Sequence, residues 1–279
     1  MNRIASFSFV LITSLALFFS SCKNAEKTEE TEEDVATGIT SLTDNEQISA
    51  QNVFNSIPAR ADIINLISQD RIEYNPDYLN NPDVASKYAL ENSRALNLGV
   101  YGADLSVTGA FDQTQESMLF LKCVNILAKN LGVSTAFDQH MMDRMEAHKE
   151  NRDSTLEIIA SSFRKADEYL KQNGRPGTSA LILCGSWIEG MYVSCRIADQ
   201  IKSENTIKTI LQQQESLKHL IIMTNASGLN DDAKYVIEGL KKIQDELEVA
   251  NVKKELTLEN IKLLSENISN LRKKVVETY

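Results

Sequence analysis

Apolar residues recur at alternating intervals of three and four through most of this chain, and that rhythm leaves little choice of fold. Leu156, Ile159, Phe163, Ala166 and Leu170 form one such stripe, and Val236, Leu240, Ile243 and Leu247 form a second. Ile261, Leu264, Ile268, Leu271 and Val275 form a third. Steps of three and four keep side chains on one side of a helix, so each stripe predicts a helix that buries one face against neighbours. No apolar–polar alternation runs long enough to make a sheet. Breakers are scarce: four Pro and eleven Gly among 279 residues is under half the usual share of about 12%. That scarcity excludes collagenous, low-complexity and turn-rich all-β chains. The fold class expected is all-α, a multi-helix bundle of about eight to ten helices over residues 44–279 in a single domain.

Local signals place some boundaries. Thr43 and Glu46 have capping-box spacing, and Asn81 before Pro82 suits a helix opening with Asn as cap. The run YNPDYLNNPD reads as a loop between short helices. Gly132 and Gly174 mark expected stops, with Asp112, Ser134 and Asp153 as expected starts. The last two helices, joined through residues 251–256, are expected to form an antiparallel hairpin. The chain after about residue 203 is more polar and reads as a peripheral layer.

Two segments depart from the amphipathic pattern. Residues 95–111 (ALNLGVYGADLSVTGAF) and 180–198 (ALILCGSWIEGMYVSCRIA) are apolar nearly all round, which predicts two central helices enclosed by the others. Both carry ridges of small residues: Gly99 and Ala103, then Gly102, Ser106 and Ala110, in one, and Ser186, Gly190 and Ser194 in the other. Glycine inside a helix costs about 1 kcal/mol against alanine, so its repetition predicts a close crossing of the two helices. A pocket in the space left by the missing side chains is the functional alternative. Within the same runs stand two isolated acids, Asp104 and Glu189, with Tyr101, Trp187 and Tyr192 nearby. A buried carboxylate has to be paired, hydrogen-bonded or protonated. Arg196 lies two turns from Glu189 on the same face, and a partner on another helix is as good a candidate. A satisfied core network and a ligand pocket call for the same residues.

The first 22 residues read as an address. Arg3 precedes an apolar stretch from Ile4 to Phe19, and Ser20 and Ser21 stand before Cys22. That stretch is shorter than the roughly 20 residues that span a bilayer, and it suits a signal peptide. Its end resembles a bacterial lipobox, in which Cys22 becomes the lipidated N-terminus. The expected division is therefore a lipoprotein signal peptide over 1–21, an acidic flexible tether over 22–43 and the helical domain over 44–279. Residues 22–47 hold two Lys and eight Asp or Glu, with too few large apolar residues to order themselves. Acidic residues soon after the Cys resemble the surface-export signal of some Gram-negative lipoproteins, and they also suit a soluble spacer facing the periplasm. Lys23 directly after the Cys resembles lipoproteins sent to the outer membrane.

Reactive constellations are missing from the sequence. It has no CxxCH, HExxH, P-loop, GxSxG or Glu-x-x-His. The run Asp138, His140, Asp143, Glu146, His148 reads as a solvated helix face, so no metal, cofactor or catalytic residue is assigned. A formal charge of −10 disfavours nucleic acid as a partner. Cys123, Cys184 and Cys195 stand in apolar surroundings and read as small buried hydrophobes. Cys184 and Cys195 are about 16 Å apart along one helix, too far to bridge each other, whereas Cys123 is free to pair with either.

VFNSIPAR (53–60), LNLGVYGADLS (96–106), QTQE (113–116) and GSWIEGMY (185–192) together resemble a family of uncharacterised Gram-negative cell-envelope lipoproteins. The resemblance implies an envelope lipoprotein of helical fold with no established activity. It nominates Tyr101, Asp104, Gln115, Glu116, Trp187 and Glu189 as residues of interest. The function expected is a lipid-anchored, non-catalytic domain binding a small-molecule ligand or an envelope protein. One competing reading is a receptor or hydrolytic enzyme that uses Asp104 and Glu189 as a carboxylate pair. Another is a structural envelope protein that docks through its C-terminal helices.

Overall fold

The structure of the chain is a computed structural model, and it describes residues 72–253 and 257–279. The expected signal, lipidated Cys22, tether and Thr43–Glu46 capping box lie outside the described residues, as does the VFNSIPAR motif. Among the described residues the fold is an all-α bundle of nine α-helices without a strand. In chain order these are α1 (Glu91–Ala110), α2 (Thr114–Leu131), α3 (Gln139–Ala147), α4 (Arg152–Gln172), α5 (Pro176–Ile201), α6 (Glu204–Leu211), α7 (Gln214–Ala226), α8 (Lys234–Lys253) and α9 (Leu258–Glu277). None is long and apolar enough to cross a membrane.

The ends follow from local chemistry. Gly132 takes a left-handed φ of 74° and closes α2, while Gly174 at φ 68° turns the chain just ahead of Pro176, the first residue of α5. Asn81 caps a 3-10 helix over Pro82–Lys87 by accepting from the Asp83 amide at 2.9 Å. The expected starts shift by a residue or two. Asn151, not Asp153, caps α4 by accepting from the Ser154 amide at 2.9 Å, leaving Asp153 in the first turn. Ser134 opens only one 3-10 turn, and Asp138 caps the helix that follows it, α3. Asp112 adopts φ 57° in the corner between α1 and α2, one residue before the N-cap Gln113.

The two apolar helices α1 and α5 are the centre: nearly every residue of α1 is buried, and so is most of α5 between Ser179 and Ala198. They cross with backbones in touch. A Cβ on Gly99 would fall 2.0 Å from the Ile182 carbonyl oxygen, and one on Gly185 would fall 1.9 Å from that of Leu96. Ser186 seals the crossing by donating to the Gly99 carbonyl at 3.0 Å. Gly102 serves a different neighbour: the Phe163 ring of α4 occupies the space a side chain would need.

All three amphipathic stripes are buried, on α4, α8 and α9. The α8–α9 pair is antiparallel, with Gly239 against Leu271 and Lys242 donating to Asn267. The region after residue 203 is not only peripheral, however. Helix α9 packs on α5 and α1, and its carbonyls at Val275 and Val276 accept from Asn97 at 3.1 Å and Tyr88 at 2.9 Å.

Candidate functional site

Asn97, Tyr101 and Asp104 follow one another at four and three residues, so they line one face of α1. On α5, Glu189 and Tyr192 are three apart and share a face in the same way. These faces meet beside α9, where Ile268, Arg272 and Val275 repeat the spacing. Asp104 and Glu189 are both 0% exposed. Arg272 grips Glu189 with two parallel bonds, Nε to Oε2 at 2.6 Å and Nη2 to Oε1 at 2.7 Å. Its guanidinium also lies 4.1 Å from the centre of the Tyr192 ring, so one cation serves the carboxylate and the π face together. Burial by itself would lower the Arg272 pKa, but the charge and hydrogen bonds of Glu189 outweigh it and raise it.

Asp104 stands within hydrogen-bond reach of Glu189. Its Oδ2 accepts from the Asn80 amide at 3.1 Å, and its Oδ1 meets no donor. Burial pushes the Asp104 carboxyl well above its usual range, and the negative charge of Glu189 pushes it further. Arg272 and the Asn80 amide pull the other way without prevailing. These surroundings favour the protonated form of the Asp104 carboxyl.

A polar and aromatic collar surrounds the acids. Tyr101 donates to the Asn81 carbonyl at 2.7 Å, and Tyr88 meets its ring edge-on at 6.5 Å. Burial raises both phenols. The Tyr74 hydroxyl is buried without a partner and is pushed up to about 12, first by burial and then by the charges of Glu116 and Asp104. Cys123 points its sulfur at the Pro82 carbonyl 3.5 Å away, and burial raises its thiol to about 11. Such a thiol is protonated at neutral pH and a poor nucleophile. Cys184 and Cys195 are likewise free and fully buried, so neither pairs with Cys123.

The structure therefore gathers Tyr101, Asp104, Glu189 and Tyr192 and leaves the other expected residues apart. Arg196 is exposed and lies 5.5 Å from the Tyr78 ring, so it is not the partner of Glu189. Gln115 is exposed on the first turn of α2, and half-buried Glu116 bears on the cluster through its charge, which raises the Tyr74 phenol. Trp187 is fully buried, with its indole N–H unpartnered. Sequence reasoning missed Arg272, which lies 83 residues beyond Glu189. The signal available was its place one residue after Leu271, on the margin of the α9 stripe. The Asn80 contribution is a backbone amide, which no residue pattern marks.

Two open clefts lie elsewhere. One of about 590 Å³ runs between the end of α5 and the first half of α9, past Arg196, Asp199, Lys262 and Glu266. The other, of about 560 Å³, lies by Glu91, Arg175, Asn230 and Tyr235. Neither is lined by Asp104 or Glu189. Among the described residues no group of three or more His, Cys, Asp and Glu is placed to hold a metal ion. No family model matches the chain, and neither a curated protein nor a solved structure matches it.

Proposed function

We propose that this chain is a lipid-anchored cell-envelope protein whose helical domain binds a partner or ligand without catalysis. The anchor is Cys22 and the acidic residues after it are the tether, with the outer membrane as the destination favoured by Lys23. The observation that carries the non-catalytic reading is the sealing of the acids. Paired carboxylates that work on a substrate need open oxygens with room between them. Both oxygens of Glu189 are taken by Arg272, and neither acid is exposed. The cluster's work is to join α1, α5 and α9.

A second reading, docking through the C-terminal helices, draws on the far end of the hairpin. Val249 and Val252 on α8 and Leu263 on α9 are 58%, 75% and 58% exposed, unusual for large aliphatic side chains.

Three experiments test the proposal. Expressed in a Gram-negative host, the wild-type chain should take up a fatty-acid label and sediment with outer membranes, and Cys22→Ala should lose both. Equal labelling of the variant would remove the anchor. Native mass spectrometry with metal analysis of protein from its own envelope addresses the domain. A stoichiometric extra mass would establish a ligand, and a co-purifying protein lost on Val252→Asp would favour the hairpin reading. Hydrolytic turnover abolished by Glu189→Gln in a folded protein would overturn the non-catalytic reading.

A further inference from the structure

Two carboxyl groups and one guanidinium share a sealed space, and their charges balance only if one proton stays with them. Glu189 turns both oxygens to Arg272, while Asp104 beside it has a donor at Oδ2 and none at Oδ1. A proton on Asp104 makes that carboxyl a donor within reach of Glu189 and leaves one negative charge against one positive charge. The groups facing Asp104 are Glu189 from α5, Arg272 from α9, the Asn80 amide, the Cys123 thiol from α2 and the hydroxyls of Tyr74 and Tyr101. Of these only Arg272 is a cation.

The same spot fastens two segments to the central helices. Helix α9 is held by Arg272 and by the Asn97 and Tyr88 bonds to its last carbonyls. The loop before the Pro82–Lys87 turn is held by the Asn80 amide on Asp104 and by Tyr101 on the Asn81 carbonyl. We propose that docking of α9 onto α1 and α5 is linked to one proton held on Asp104, so that the helix is latched while the proton is bound and loosens when it leaves. Losing the proton sets two adjacent anions against one cation, and the strain is relieved when α9 and the loop part and admit water. The inference concerns a device inside the fold and stands whether or not the anchor or the partner-binding reading holds.

Hydrogen exchange on the full chain tests it, with α9 and α4 compared in one sample after correction for the intrinsic base-catalysed rate. Between about pH 6 and about pH 10, the α9 opening constant should rise about tenfold per pH unit until Asp104 titrates in the docked state and then flatten, while α4 stays level throughout. Asp104→Asn keeps a neutral donor beside Glu189, so α9 should stay protected and the slope should vanish. Infrared spectroscopy of the wild-type protein gives a check that needs no variant to fold: a protonated carboxyl C=O band should persist at neutral pH. The proposal is overturned by a level α9 response in the wild type, by a slope shared with α4, by a slope that survives in Asp104→Asn, or by absence of that band.

Discussion

The α1–α5 crossing and the α8–α9 hairpin are both helix pairs, yet they are held by opposite means. The crossing puts backbone against backbone at Gly99 and Gly185, with no side chain between to adjust. The hairpin puts Leu, Ile and Val rows against each other, and even its one close glycine, Gly239, meets only the flexible tip of Leu271. Contact through backbone fixes geometry absolutely, whereas contact through side chains can yield. An acid that must meet a partner in a sealed space belongs beside the rigid pair, and Asp104 and Glu189 are found there. The adjustable helix supplies the long side chain that reaches in.

Breaking the rigid contact should cost the most. Gly185→Ala sets a methyl against the Leu96 carbonyl, which cannot move without its helix, and a loss of about 4 kcal/mol or more in urea unfolding is expected. A loss under about 1 kcal/mol would show that the crossing yields as the hairpin does. Arg272→Met should come next. It leaves Glu189 buried without its cation, for about 3–5 kcal/mol, and the double variant Arg272→Met with Glu189→Leu should recover much of that stability.

A third test separates the two regions by pH. In the folded chain Asp104 keeps its proton at pH values where the unfolded chain, near 3.8, has released it. The stability this gives is complete below that pH and is lost as pH rises through the folded value. Glu91, held below its usual 4.5 first by its hydrogen bond from Arg175, acts in the opposite sense and only on the acid side. The thiol of Cys123 makes stability change with pH only above its ordinary 9.0. Between those limits, the Tm of Asp104→Asn should gain on the wild type with rising pH, and a constant difference would remove Asp104 as the cause. The smallest effect belongs to the hairpin. Gly239→Ala exchanges about 1 kcal/mol of helix propensity for a shift of the Leu271 tip, and should stay within about 1 kcal/mol of wild type.

How far the sequence announced this depends on the range of each interaction. The stripes on α4, α8 and α9 are local periodicities, and every residue in them is buried as expected. Asp104 and Glu189 stood out because a charge inside an apolar run needs a reason, and that reason can be read within one helix. The partner could not be read so. Arg196 was the nearest cation on the same face, but a cation on a neighbouring helix has better access to a buried acid than one two turns along the same rod. Gly102 misled in a similar way: its gap shows that something approaches, but not whether α5 or Phe163 fills it. Gln115 and Glu116 were nominated by motif resemblance alone, and neither joins the acids.

The bond between Glu189 and Arg272 also imposes an order of events. A chain made from its N-terminus completes α1 and α5 well before Arg272 exists. Until α9 follows, two acids sit between the most apolar helices of the protein with no cation to accompany them. Closing the centre around them before α9 arrives carries the cost of a buried acid without its cation. The Arg272–Glu189 bond therefore ties completion of the core to the making of α9.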